Sequence, residues 1–282
     1  MPRSVAYSKT AIRRVFDTKG DQHLSDALAV EEPLEIRLGY RANERDERRA
    51  ISITMRTPGD DLELAAGFLF SEGIITSPSQ IAEIRHCGPK RFEGRLTNTV
   101  LVQLEPAVDV DLARLERHFY TTSSCGVCGK TSIEALDTGV KRFTTDLLTV
   151  RADVIHKLPS RLLRAQTAFG ATGGLHASGL FDQRGGLDVI REDVGRHNAL
   201  DKVIGSKLLN GKVPISDRIV AVSGRASFEL VQKSLMAGIQ ILAAVGAPSS
   251  LAVELASRYG MTLIGFVRDG RFNVYCDEGR IV

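Results

Sequence analysis

Along the first third of the chain, apolar and polar residues alternate in two places. Pro33-Leu34-Glu35-Ile36-Arg37-Leu38 and Ala50-Ile51-Ser52-Ile53-Thr54-Met55 both repeat every second residue, the period of a strand with one buried face, so they predict a hairpin. Between them, residues 41–49 carry Arg41, Arg45, Arg48 and Arg49 among acids, which predicts a solvated turn or, alternatively, an anion site. Thr57-Pro58-Gly59-Asp60-Asp61 has the form of a helix start, with acids at the positive end of the dipole, leading into residues 62–71 and closing at Gly73. Residues 81–87 and 99–104 predict two more strands, and residues 111–120 an amphipathic helix. The order ββαββα predicts a compact α+β unit.

Beyond residue 120 the pattern changes to strands alternating with longer helices, which predicts layered α/β architecture. Helices are expected over 158–165, 228–239 and 251–259, with another running to Leu209 from an N-cap at Asp193. Strands are expected over 175–181, 187–191, 218–222, 241–245, 261–267 and 272–276, and Gly170-Ala171-Thr172-Gly173-Gly174 predicts a flexible turn. The chain thus divides into residues 1–120, an N-terminal α+β part, and residues 121–282, a layered α/β domain. There is no internal repeat and no low-complexity segment.

Composition places the chain in the ordinary globular class: 282 residues, 43% hydrophobic, 25% charged, formal net charge +3. So small a charge argues against a nucleic-acid coat and leaves room for an anionic ligand. Arg3, Lys9, Arg13 and Arg14 precede the first acid, Asp17, and predict a solvated basic tail. The most apolar region, residues 239–256, is broken by Gly246, Pro248, Ser249 and Ser250, so it predicts two buried elements and no membrane span. Four cysteines do not make a disulfide framework, and the absence of a secretory leader points to a reducing cytoplasm.

Reactive side chains concentrate in one stretch, Thr121-Thr122-Ser123-Ser124-Cys125-Gly126-Val127-Cys128-Gly129-Lys130. Gly126 and Gly129 free the backbone for a bare turn, and Lys130 favours the thiolate, the nucleophilic form. Structural zinc needs four ligands, whereas Cys87 and Cys276 stand alone, Cys87 reading as a small buried hydrophobe. A thiol–disulfide redox pair and a persulfide carrier both fit the spacing. Elsewhere, Ser223-Gly224-Arg225-Ala226-Ser227 presents backbone amides and a guanidinium to an anion at a helix start. Arg268-Asp269-Gly270-Arg271 carries a hairpin signal between two arginines suited to a diphosphate. His197 is either a helix-start residue bonded to its cap or a functional group, and His176, after two glycines, is either a core histidine or part of a cleft.

These blocks together resemble the FdhD/NarQ family. The resemblance runs through Glu31-Glu32-Pro33-Leu34, Arg56-Thr57-Pro58-Gly59, the cysteine stretch, Gly173-Gly174-Leu175-His176-Ala177 and Arg191-Glu192-Asp193-Val194-Gly195-Arg196-His197-Asn198-Ala199-Leu200-Asp201-Lys202. It continues in Val222-Ser223-Gly224-Arg225-Ala226-Ser227-Phe228-Glu229, Ala247-Pro248-Ser249-Ser250-Leu251-Ala252 and Gly270-Arg271-Phe272-Asn273-Val274-Tyr275. It implies a sulfurtransferase that takes sulfur from a cysteine desulfurase as a persulfide. The sulfur would pass to the molybdenum cofactor in its bis-guanine-dinucleotide form, before that cofactor enters formate dehydrogenase. Cys125 matches the persulfide position and Cys128 its partner thiol, while Phe266, Val267, Arg268, Asp269, Gly270 and Arg271 match the cofactor-binding segment. A homodimer and a cytidine-deaminase-like fold for the second half are also implied. Deaminase chemistry is not: no histidine has Glu two positions later, and Ser124 stands where that signature has proline. A cofactor-binding chaperone without sulfur transfer remains the alternative, beside the oxidoreductase.

Overall fold

The computed structural model describes residues 6–17, 20–42, 44–88, 97–110, 140, 142–143 and 148–282. The expected helix at 111–120 and the whole cysteine stretch, Cys125 and Cys128 included, lie outside the described residues.

The predicted hairpin forms from β3 (Glu32–Ala42) and β4 (Arg45–Arg56), paired antiparallel. Leu34, Ile36, Leu38 and Tyr40, all on one pleat face, are buried, as the alternation requires. Residues 41–49 are strand nearly throughout and not a solvated turn: the chain reverses at Glu44, φ 62°, and Arg45, Arg48 and Arg49 continue the ladder. β5 (Ile81–His86) and β6 (Thr99–Leu104) complete a sheet of order β4-β3-β6-β5. From residue 7 the expected basic tail is strand, an antiparallel pair of β1 (Tyr7–Arg14) and β2 (Gln22–Ala29). The part-buried Thr10 and Ile12 alternate with the exposed Lys9, Ala11 and Arg13, a strand period masked by the charge.

Helix α1 (Asp61–Ser71) adds Leu64 and Leu69 to the core of this sheet. Its start is fixed by Arg56, only 1% exposed, whose guanidinium donates to both oxygens of Asp61 at 2.9 and 3.0 Å.

The second sheet has order β12-β11-β10-β9-β7-β8. Its strands are β7 (His176–Phe181), β8 (Leu187–Asp193), β9 (Ile219–Val222), β10 (Ile241–Ala244), β11 (Thr262–Arg268) and β12 (Arg271–Cys276). β9, β10 and β11 run parallel, and the outer strands are antiparallel to their neighbours. On one face Ile219, Ala221, Ile241, Ala243 and Ile264 meet α2 (Ala152–Ala165). On the other, Val220, Val222, Leu242, Ala244 and Leu263 meet α4 (Arg196–Leu209), α5 (Phe228–Met236) and α6 (Ser250–Arg258). Strands buried on both faces read as continuous apolar runs for this reason. The first sheet and α1 share the second core, because α1 crosses α4 backbone to backbone. A Cβ at Gly67 would stand 1.9 Å from the Asp201 carbonyl oxygen, and one at Gly205 would stand 1.8 Å from that of Glu63.

Three further expectations are corrected. Helix α2 begins at Ala152, not 158, and carries Pro159 inside it. Proline costs a helix one hydrogen bond and usually marks its first turn, but the buried stripe Val154, Ile155, Leu158 and Leu162 carries the helix through it. The expected turn at 170–174 is mostly α3 (Thr167–Thr172), whose first amides, Ala168 and Phe169, donate to the Glu192 carboxylate at 2.9 and 2.7 Å. Asp193 is not an N-cap; Gly195 takes that place, and Asp193 is the buried end of β8, accepting from Gly195, Asn198 and Thr57 and paired with Lys202 at 2.8 Å. Among the described residues, no helix is long and apolar enough to cross a membrane.

Candidate functional site

In open α/β sheets the carboxyl ends of parallel strands are where loops converge on a ligand. Here three such ends, those of β9, β10 and β11, are tied together beyond the strands. The Gly246 amide donates to the Gly224 carbonyl at 2.8 Å, and the Phe266 amide to the Gly246 carbonyl at 3.1 Å. Ala226 donates to Ala247 and receives from the Ser249 amide, joining the loops that open α5 and α6. Approach this close demands glycine: a Cβ at Gly246 would come within 3.0 Å of Arg225 Cα, and one at Gly265 within 2.9 Å of Pro248 Cδ.

The stretch 266–271 lies on this edge. Phe266 sits in a bulge between Gly265 and Arg268 with φ 52°, a conformation non-glycine residues rarely hold, and the residue is 41% exposed. Val267 is buried beneath it. Arg268 donates through Nη1 to the Val245 carbonyl at 2.7 Å, which pins the end of β11 to that of β10. Asp269 and Gly270, the latter at φ 82°, turn the chain so that Arg268 pairs with Arg271 across the hairpin. Arg271 and Asp269 are exposed. The hairpin signal and the pair of arginines therefore coexist, with Arg268 engaged by backbone and Arg271 open to solvent.

Next to it lie the starts of α4 and α5. His197 Nε2 is 3.2 Å from Ser227 Oγ and 3.3 Å from Glu229 Oε2, so its partner is the neighbouring helix start and not its own cap. Burial, then the charges of Arg196, Lys233 and His176, brings His197 down to about 3. Burial raises the Glu229 carboxyl to about 8. At neutral pH the imidazole is unprotonated and the carboxyl holds the proton. Serine and carboxyl share one nitrogen, whereas a hydrolytic triad needs the acid on Nδ1, so no charge-relay nucleophile is assembled. His176 is half-buried against Gly224, lowered by burial and by Arg196. Beneath them Lys233 meets Asp201 at 2.9 Å and Glu72 at 3.4 Å, and the Ser71 hydroxyl donates to Asp201, binding α1, α4 and α5 through buried charge.

Arg225 is exposed on this edge, as its sequence context suggests. Arg196 and Glu229 were not legible as site residues; a cation between Gly195 and His197 at a helix start was the available signal. Cys87 is half-buried just past β5, its amide donating to Thr99, and Cys276 ends β12 with its thiol donating to the Met261 carbonyl and raised by burial. Neither lies on the edge described. Among the described residues, no three His, Cys, Asp or Glu side chains gather as a metal-binding group.

The protein is thus of mixed α/β class, with a cationic, glycine-bearing edge beyond its parallel strands. The FdhD/NarQ family model matches residues 29–282, and the chain belongs to that family. It is similar to the "Sulfur carrier protein FdhD" of Streptomyces avermitilis, 50% identical over 91% of this chain and 89% of that one. With its namesake in Mycobacterium tuberculosis it is 48% identical over 96% of this chain and 98% of that one. A crystal structure from Desulfotalea psychrophila, titled a "putative formate dehydrogenase accessory protein", superposes with a TM-score of 0.75 at 29% identity, covering 99% of this chain and 100% of that one. Family membership supports a sulfur-carrier role in support of formate dehydrogenase.

Proposed function

We propose that this chain is a sulfurtransferase that accepts sulfur from a cysteine desulfurase as a persulfide on Cys125, with Cys128 as partner thiol. It then delivers the sulfur to the molybdenum cofactor, bis-molybdopterin guanine dinucleotide, before that cofactor enters formate dehydrogenase. The cofactor is cargo, contacted by the stretch 266–271. The observation that carries the reading is family membership over nearly the whole chain, on a protein that holds the matched cysteines in a glycine-flanked stretch. The cationic edge with Arg225, Arg268 and Arg271 supports it, since the cargo bears several negative charges. A homodimer in the cytoplasm, a boundary near residue 120 and a cytidine-deaminase-like second half without deaminase chemistry belong to the same reading.

The test is activation of a client formate dehydrogenase in cells carrying variants of this protein. Cys125→Ala is expected to abolish activation while the variant remains folded and still binds GDP. Cys87→Ala and Cys276→Ala are expected to leave activation intact. Full activation by Cys125→Ala would overturn sulfur transfer and favour a chaperone.

A further inference from the structure

Beside β9, the edge holds a notch with a cation that no carboxylate among the described residues pairs with. Arg196 opens α4, its Nε is buried, and that nitrogen has no hydrogen-bond partner. Buried polar groups are nearly always satisfied, so an orphaned guanidinium nitrogen calls for an acceptor from elsewhere. His176 stands across the notch: a Cβ at Gly224 would lie 3.3 Å from its Nδ1 and 3.9 Å from Arg196 Cδ. The absence of a side chain at 224 is what keeps the space between them open. α5 begins alongside, and the hydroxyl of its N-cap, Ser227, is turned to His197 instead of the helix's own amides. The first amides of α4 also lack a side-chain cap, because the N-cap is Gly195. Guanidinium, imidazole and the starts of two helices thus converge where a negative acceptor would complete them. Arg196 also lowers both neighbouring imidazoles and acts on the Glu229 carboxyl, so its charge is felt by all three groups.

We propose that this notch is an oxyanion subsite for a phosphate or diphosphate group, gripped by Arg196 and flanked by His176. The inference rests on the proposed guanine-dinucleotide cargo: its phosphates sit at Arg196, while the stretch 266–271 meets the rest of it. Arg268, committed to the Val245 carbonyl, fixes the turn and is a positioning residue.

The experiment is calorimetric titration of the full-length protein with GDP, inorganic pyrophosphate and guanosine, alongside an NMR titration of His176. Arg196→Gln is expected to weaken GDP and pyrophosphate by about tenfold to a hundredfold, as for loss of a charge-assisted hydrogen bond, and to leave guanosine unchanged. Arg196→Lys, which keeps the charge and loses the fork, should fall between. Pyrophosphate should raise the pKa of His176 in the wild-type protein, a readout that survives if Arg196→Gln fails to fold. GDP affinity unaltered in folded Arg196→Gln, with no movement of His176, overturns the subsite and leaves the proposed cargo standing. Arg196-dependent binding of pyrophosphate with GDP no tighter supports the subsite and counts instead against the guanine-dinucleotide cargo.

Discussion

His197 and Glu229, 3.3 Å apart, are shifted in opposite directions by burial, and they give the protein a specific pH signature. Glu229 is raised to about 8 by burial, so the folded state binds more protons than the unfolded chain from its ordinary value up to about pH 8. Stability therefore falls as pH rises through that interval. His197 is lowered to about 3, so the unfolded chain binds the extra proton between there and about 6.5, and its contribution is lost as pH falls. The two slopes oppose each other below about pH 6.5, leaving Glu229 alone above it. Glu229→Gln should therefore gain on the wild type by on the order of 1 kcal/mol between about pH 6.5 and 8, read from urea midpoints at the two ends. Identical pH slopes in the two proteins would refute the assignment. None of this was readable from sequence, because the burial and the Lys233 network that set both values come from α1, α4 and α5 meeting in space. The Asp193 carboxylate makes the same point: as a local signal it reads as a cap, yet its partners include Thr57, far away in the chain.

At the scale of elements, the crossing of α1 over α4 depends on two glycines that leave no room for a methyl group. Gly67→Ala should cost about 3 kcal/mol in chemical denaturation, since its Cβ would meet backbone and not a yielding side chain. Gly170→Ala, inside α3 with nothing within 4 Å of the added Cβ, should instead stabilise by about 0.5–1 kcal/mol. Equal effects at the two sites would show that the crossing is not tight. Elements whose pattern arises from one buried face, such as β3 and β4, were legible to within a few residues. Those held by distant partners were not: α3 depends on Glu192, and α2 runs through Pro159 because its apolar stripe is buried against β9 to β11. Strand β1 was hidden beneath a basic composition.

For the whole molecule, layered α/β architecture was legible from the strand and helix alternation after residue 120. The sharing of one core by both sheets was not, since it depends on Gly67 and Gly205 meeting. The edge that gathers residues 223–227, 246–249 and 266–271 was half legible: each loop carried its own signal, but only the fold ties Gly224, Gly246 and Phe266 in one ladder. Arg56 links the first sheet to α1 with a buried bidentate pair, so Arg56→Ala should cost about 3–5 kcal/mol by stranding Asp61, measured by the denaturation midpoint. A loss below about 1 kcal/mol would show that Asp61 finds another partner.

The central claim, that sulfur rides on Cys125, is tested most directly by an intact-protein mass spectrum after incubation with a cysteine desulfurase and cysteine. The wild type, Cys87→Ala and Cys276→Ala should gain the mass of one sulfur atom, removable by a thiol reductant, and Cys125→Ala should not. Full sulfur loading of folded Cys125→Ala, or no loading of the wild type by an active desulfurase, would contradict it.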